Sequence, residues 1–475
     1  MVEPTSQLAT ARELWRQNRT AEAEQVLREL VTLRPRHEDA GLLLAEVLRS
    51  QGRFGAASAC CLELCRASEF EPGLSLRAAR FAQGCDRHGI AGEICEGALG
   101  RRGTTDRAEL LVLSGHVARE AGDFEAARAR YAAALGAGVD LDKHHVLGAL
   151  ANTRRYVDAD DADIARFARH LADTRYSPRS RASAGFALAK AQNDLGDYGS
   201  ASTTLRQANA MVLQVQPWDG AAWRRFVEMR GGGHVASVAE SAGGDFIPVF
   251  IVGLPRSGTT LTATLLARAS GARDRGEFRA LRFIADQLLS GGYLGNPSAL
   301  AEAANLYRTL VVQDDAPARW YIDQDPLNFR YLDIAAAMFP QARVIHVRRD
   351  LRDTALSLWS QDFAHPDMAF AYDFDDMAAY MEGHDALMRH WKQAFRTSIH
   401  ELDYESLVTD TDATLSSLCD FIGAGVEKHG RSDESTPVQS ASVWQARQPV
   451  YSTSIGRWRH YAPTVPELAR LGGRD

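Results

Sequence analysis

Two patterns of apolar spacing divide the chain. Up to about residue 215, apolar side chains recur at helical spacing. In AELLVLSGHVAREAGDFEAARARYAAAL (108–135), apolar residues fall at helical spacing on both sides of a central glycine. From residue 246, short β-rich runs alternate with helical ones, which predicts an α/β domain with a parallel sheet. Its expected strands lie at 246–252, 319–323, 342–349 and 398–404. Between the two patterns, PWDG (217–220) and MRGGGHVASVAESAGGD (229–245) are rich in glycine and small residues. They predict a linker, loop or lid over 216–245. DDMAAYMEGHDALMRHW (375–391) reads as an amphipathic core helix whose aromatic and methionine residues need no function.

The helical half repeats. NRTAEA from Asn18, GRFGAA from Gly52, DRHGIA from Asp86, GDFEAA from Gly122 and GDYGSA from Gly196 each set a turn-former five residues before an alanine. Those alanines are Ala23, Ala57, Ala91, Ala127 and Ala201. The first two steps are 34 residues and the third is 36; the last, 74, leaves room for two units with a degenerate middle one. A small alanine lets two helices approach closely, and Gly, Asn or Asp serves the turn between them. The period and the helix–turn–helix pattern resemble the tetratricopeptide repeat. Such units bury their faces by stacking, so residues 5–215 are expected to form one α-solenoid. A solenoid offers a groove for a protein or peptide; it serves equally as a packing platform for the second half, or as a dimer surface.

Composition narrows the classes. With 475 residues, 45% of them hydrophobic and 24% charged, the chain can build more than one globular core. A net charge of −7 argues against wholesale nucleic-acid binding. The start, MVEPTSQLATARELW, has no basic-then-apolar leader, and no apolar run approaches the roughly 20 residues of a membrane span. The expectation is a soluble, cytoplasmic protein. Cys60, Cys61, Cys65, Cys85, Cys95 and Cys419 form no C-x-x-C pair, and no histidine stands at zinc-finger spacing. Reduced thiols packing between helices are expected, without metal.

Candidate chemistry sits in the second half. FIPVFIVGLPRSGTTLTATLLARAS (246–270) reads as a buried strand, a glycine turn and a helix start, which together aim backbone N–H groups at an anion. Gly253-x-x-x-x-Gly258 is followed by Thr259-Thr260, so the lysine of a nucleotide-triphosphate loop is absent and a kinase is disfavoured. Arg256 is the loop's cation. In VIHVRRDLRDTALSLWSQDF (344–363), a strand runs out into Arg348-Arg349-Asp350 and a helix begins near Leu351. Ser357 follows Arg349 by eight residues, two helical turns on. An arginine at a strand end beside a serine on the next helix can bracket a phosphate, or can be an ordinary helix-capping ion pair. Two such sites suggest a nucleotide with anions at both ends.

These phrases resemble the sulfotransferases. GLPRSGTT looks like their loop for the 5′-phosphosulfate of 3′-phosphoadenosine 5′-phosphosulfate, and RRDLRDTALS like their 3′-phosphate motif. GEFR (276–279), DPLNF (325–329), DYESLV (403–408) and SVWQARQPVYSTSIGRW (442–458) extend the match over 246 to about 470. The resemblance is to bacterial proteins fusing tetratricopeptide repeats to a sulfotransferase domain similar to tyrosylprotein sulfotransferases. It implies that Arg256, Ser257, Gly258, Thr259 and Thr260 hold the phosphosulfate, without metal. Arg349 and Ser357 would take the 3′-phosphate. Tyr404 would stand near that phosphate or the adenine, or else be a core tyrosine. Arg457 and Trp458 would close over the nucleotide, with Ser452 or Ser454 touching the sulfate.

The same resemblance makes Glu277 the catalytic base, 21 residues past Arg256; without the flanking motifs it would read as a solvated loop residue. His346, inside an apolar strand, reads as core. Two departures stand out. Gln324 occupies the place of a lysine that assists the leaving group, and LARASGARDRGE (266–277) lacks the family's histidine-proline. Glutamine donates hydrogen bonds but cannot neutralise developing charge. Either Arg256 alone, or Arg256 aided by Arg279 or Arg457, must supply that charge, or the domain is a nucleotide-binding scaffold of weak or no activity. The implied acceptor is a protein or peptide tyrosine, with a glycan or small phenol as the other reading.

Overall fold

The computed structural model describes residues 4–101, 106–232, 246–363, 365–394, 399–425 and 454–472. The first half is helical throughout: α1 (Pro4–Arg16), α2 (Thr20–Leu33), α3 (Glu38–Ser50), α4 (Phe54–Ala67), α5 (Pro72–Gly84), α6 (His88–Leu99), α7 (Arg107–Ala121) and α8 (Phe124–Gly136) pair in order. α9 (Val146–Ala151) and α10 (Ala162–Ala172) follow, then the pair α11 (Pro178–Asp194) and α12 (Tyr198–Val215). The repeated phrases fall on the turns within pairs. Asn18, Gly52, Asp86, Gly122 and Gly196 all take positive φ, between 58° and 87°. That is the left-handed conformation glycine, asparagine and aspartate adopt most readily. The five alanines after them are fully buried. The degenerate unit is α9–α10, with α9 cut to six residues.

The helices divide between two compact units. Of the described residues, one comprises those up to Asp140 together with 308–317, and the other comprises 141–307 and those from 318 onward. In the first unit, Asp314 caps α4, accepting from Gly55 N and Ala56 N at 2.8 Å each, and Asp315 pairs with Arg87 at 3.0 Å. The stretch expected to form one solenoid, 5–215, thus spans both units: α1–α8 lie in the first, and α9–α12 group with the α/β domain. Specific contacts explain this. Asn209 donates to the Trp359 carbonyl at 3.0 Å, Arg179 pairs with Asp362 at 2.5 Å, and Phe186 meets Tyr372.

The linker expectation needs correction, because 216–245 contains a helix, α13 (Gly220–Gly231). Its glycines and alanines read as loop, but its aromatic residues anchor it. Trp223 stacks on Tyr380 at 4.6 Å, and Arg230 pairs with Asp333 in a buried contact. Residues 233–245 lie outside the described residues.

The α/β domain runs β1 (Ile247–Gly253), α14 (Thr259–Ser270), β2 (Arg273–Asp274), α15 (Ala280–Ser290), α16 (Pro297–Val312), β3 (Trp320–Asp323), α17 (Leu332–Met338), β4 (Arg343–Arg348), α18 (Leu351–Trp359), α19 (Phe374–Ala394), β5 (Ile399–Asp403), α20 (Tyr404–Thr409) and α21 (Thr411–Ile422). The five strands are all parallel in the order β2-β3-β1-β4-β5. β1, at the centre, is covered on both faces, which its unbroken apolar run requires. The four expected strands are present; β2, two residues long, was not foreseen. α19 is the amphipathic core helix, burying Met377, Tyr380, Leu387 and Trp391. Parallel strands bring every C-terminal end to one edge, where such sheets carry their ligands. Among the described residues no helix is long and apolar enough to cross a membrane. The cysteines are unpaired thiols, and burial pushes Cys65 up to about 11 and Cys95 up to about 12.

Candidate functional site

β1 ends at Gly253, and α14 begins six positions later at Thr259. Both glycines of the loop are required by close approach. A Cβ at Gly253 would lie 2.4 Å from the Val347 carbonyl oxygen. At Gly258, where φ is +109°, it would lie 2.4 Å from the Tyr404 ring. Arg256, between them, also takes positive φ, +73°. Thr259 and Thr260 are buried at the helix start, and the buried Ser257 Oγ has no hydrogen-bond partner. A cradle of this kind, with an orphaned buried hydroxyl, fits an anion.

The loop is wired to the ends of β4 and β5. Arg256 Nε donates to Ser357 Oγ at 3.0 Å. Arg349 donates to the Arg256 carbonyl at 3.1 Å and to the Ser454 carbonyl at 2.8 Å, and its guanidinium lies 4.7 Å over the Tyr404 ring. Tyr404 and Ser454 share a hydroxyl–hydroxyl bond of 2.8 Å. Arg256, Ser257, Gly258, Arg349, Ser357, Tyr404 and Ser454 thus form one connected group. Ser357 bonds Arg256 rather than Arg349, while Arg349 Nε is buried with no partner.

The segments that carry Glu277 and Gln324 meet on the β3 side of β1. The backbone N–H of Gln324 donates to the Gly276 carbonyl at 3.0 Å, which ties the end of β3 to the residue before Glu277. Gln324 is buried, and its Oε1 has no partner. Glu277 keeps some solvent contact, yet protein surrounds its carboxyl group. Burial, with the Asp325 carboxylate adding to it, pushes Glu277 up to about 8; Arg256 and Arg279 pull the other way. Arg256 is therefore within electrostatic reach of both halves of the group. Asp323 is satisfied by the Tyr307 hydroxyl at 2.9 Å and the Asp325 amide at 3.2 Å, and among the described residues it pairs with no arginine. Asp325 caps the next turn through Leu327 N at 3.0 Å, and burial raises it despite Arg279, Arg330 and Arg282 nearby. His346 is a core residue, held down to about 4 by burial and packed on His384.

Arg457 and Trp458 are not brought into this group. The Arg457 guanidinium donates to Asn193 Oδ1 at 2.8 Å. The Trp458 ring lies under Arg352 at 4.3 Å and beside Arg459 at 5.3 Å. Their side chains find partners on α11, α18 and beside Trp458 itself, so a role in covering the nucleotide stands as an expectation. The backbone of this segment does reach the site, through Ser454. Ser452 lies outside the described residues.

Residues 248–428 match the family model described as the sulfotransferase family, and residues 14–66 match that of the tetratricopeptide repeat. The sulfotransferase-family match spans most of the α/β domain. An uncharacterized protein of Aquifex aeolicus is 32% identical over 305 residues. That match covers 60% of this chain, and the chain spans only 40% of the relative's length. Among solved structures, the sulfotransferase domain of the Synechococcus PCC 7002 olefin synthase is 20% identical, covering 50% of this chain and 97% of that one, with a TM-score of 0.37. The sulfotransferase domain from the curacin biosynthetic pathway is 16% identical over 49% of this chain and 99% of its own, with a TM-score of 0.26.

In the sulfotransferase domain, the ends of β4 and β5 and the turn at 455–459 also enclose a cavity of about 430 Å³. Arg348, Arg352 and Arg459 face Asp350, Asp353, Asp403 and Glu405 there, so it is not an anion pocket. Asp353 was missed by sequence reasoning. Its carboxylate accepts from Gly456 N at 2.6 Å and Trp458 N at 2.9 Å, which anchors the chain end beside Arg349. It was visible inside RRDLRDTALS, but nothing local reveals partners about a hundred residues away. Among the described residues no group of three or more His, Cys, Asp or Glu is placed to hold a metal ion.

Proposed function

We propose that the sulfotransferase domain moves the sulfuryl group of 3′-phosphoadenosine 5′-phosphosulfate to an acceptor hydroxyl, with a protein or peptide tyrosine as the acceptor. The observation carrying this reading is the single network from the Arg256 loop to Arg349. A mononucleotide with anions on both its 5′ and 3′ sides needs two anion sites held at fixed spacing, and this network joins the two candidate sites. In the proposed reaction the acceptor oxygen attacks sulfur in line. Its proton passes to Glu277 as the bond from sulfur to the bridging phosphate oxygen breaks. Adenosine 3′,5′-bisphosphate leaves, and the sulfate ester remains on the acceptor.

The residues divide the work. The loop amides, Ser257, Thr259 and Thr260 orient the phosphosulfate, and Arg256 opposes charge gathering on the bridging oxygen. Glu277, pushed up to about 8, is a stronger base than a solvated carboxylate. Gln324 contributes a hydrogen bond and no charge, so Arg256 and Arg279 are the cations left to this side of the site. Arg349 braces the 3′-phosphate end. Repeats of this family commonly engage other proteins, which favours a protein acceptor over a glycan or small phenol.

Gln324 keeps a second reading in play, a domain that binds nucleotide without turnover. Isothermal titration separates the readings from a kinase: adenosine 3′,5′-bisphosphate should bind without Mg²⁺ and far more tightly than ATP. Tighter binding of ATP with Mg²⁺ would overturn the assignment.

A further inference from the structure

The C-terminal residues 454–467 are held at two ends by different parts of the second unit. At one end lie the partners of the proposed nucleotide site. The Ser454 carbonyl accepts from Arg349, its hydroxyl meets Tyr404, and Asp353 accepts from Gly456 N and Trp458 N. At the other end lies the last repeat. Asn193, next to the end of α11, accepts at Oδ1 from the Arg457 guanidinium at 2.8 Å and from the Tyr461 hydroxyl at 2.9 Å. A guanidinium can only donate, so the amide atom facing it is the oxygen, and both its lone pairs are engaged. Tyr198, opening α12, stacks on His460 at 4.7 Å and meets Tyr461 edge-on. Arg206 forks onto Glu467 with two bonds of 2.9 Å.

We infer that Asn193 is a positioning residue for the nucleotide site: by fixing Arg457 and Tyr461 it holds the turn at 454–456 against Arg349 and Tyr404. This rests on reading that group as the bisphosphate site. Only two residues separate Ser454, which Arg349 grips, from Arg457, which Asn193 grips, so movement at one is felt at the other. Arg349 already has a buried Nε without partner; if the Ser454 carbonyl shifts, it loses one of its two backbone acceptors. The last repeat then does more than offer a surface to proteins: it completes a wall of the donor site, and a fragment starting at residue 246 lacks that support.

The test is calorimetry on the full chain, with adenosine 3′,5′-bisphosphate and with adenosine 5′-phosphate, which lacks the 3′ group. Asn193→Leu, which keeps the volume and removes the acceptor, should weaken bisphosphate binding about 5–10-fold and adenosine 5′-phosphate much less. Asn193→Asp, which still accepts from both partners, should stay within about twofold of wild type. Bisphosphate binding unchanged in Asn193→Leu overturns the positioning role, as does equal weakening of both ligands in both variants. A wild type that binds no bisphosphate fails differently: it removes the functional reading itself, and this inference with it.

Discussion

Gly196 and Gly258 are both glycines held at positive φ, yet they stand in their places for different reasons. At Gly196, between α11 and α12, φ is +80° and a Cβ would meet nothing within 4 Å. Its partners at other repeat turns include Asn18 and Asp86, so the turn asks only for a residue that tolerates the left-handed conformation. At Gly258, φ is +109° and the Tyr404 ring occupies the space a side chain would need. A repeat turn serves its own two helices and is copied along the chain. The loop of the sulfotransferase domain is a single copy on which β1, β4, β5 and the chain end all depend. Local rules govern the first, and agreement between distant segments governs the second.

The largest effect should come from breaking that agreement. Gly258→Ala must displace Tyr404 while straining the loop, and with it Arg349 and Ser454. Calorimetry should show bisphosphate binding weakened at least about 100-fold while the helical signal in circular dichroism is retained. Next comes Glu277→Gln, which should leave nucleotide affinity near wild type and slow transfer about 100-fold. Because Glu277 is pushed up to about 8, the wild-type rate should rise with pH until about 8 and then level; the glutamine variant should lose this rise. The same shift has a stability consequence with a definite sign. The folded chain holds a proton that the unfolded chain has released, so this residue's contribution is present below the usual carboxylate range and fades as pH approaches 8.

Arg349→Ala should weaken bisphosphate binding by about 1.5–3 kcal/mol and barely affect adenosine 5′-phosphate. Equal losses for both ligands would remove Arg349 from the 3′-phosphate. The smallest effect belongs to the repeat turn. Gly196→Ala should lower stability by about 1 kcal/mol, read as a shift in the denaturant midpoint, and leave nucleotide affinity unchanged. A large loss of affinity there would erase the contrast drawn between the two glycines.

The same contrast explains what could be read from residues alone. Turn phrases and buried alanines are local, so the repeats were legible down to the degenerate unit, and the four longer strands announced themselves as apolar runs. β2 was invisible because two residues carry no periodicity. α13 was hidden by the glycines and alanines around Trp223, whose packing partner Tyr380 lies far along the chain. The Asp314 cap on α4 joins residues more than 250 positions apart. Site residues in the loop and at the strand ends were recognisable by motif. The bond from Arg457 to Asn193 was not legible, because Asn193 sits in the other half of the sequence and nothing local says which way a long side chain will turn.

Sulfuryl transfer is proposed for the edge where the Gly276–Glu277 turn meets Gln324. The most direct measurement is single-turnover consumption of sulfur-labelled 3′-phosphoadenosine 5′-phosphosulfate by the full chain, with tyrosine peptides as acceptors, beside the Glu277→Gln variant. Label should move from donor to peptide in the wild type, and about 100-fold more slowly in the variant. Tight bisphosphate binding with no label reaching any peptide, glycan or phenol would contradict it and leave a nucleotide-binding scaffold.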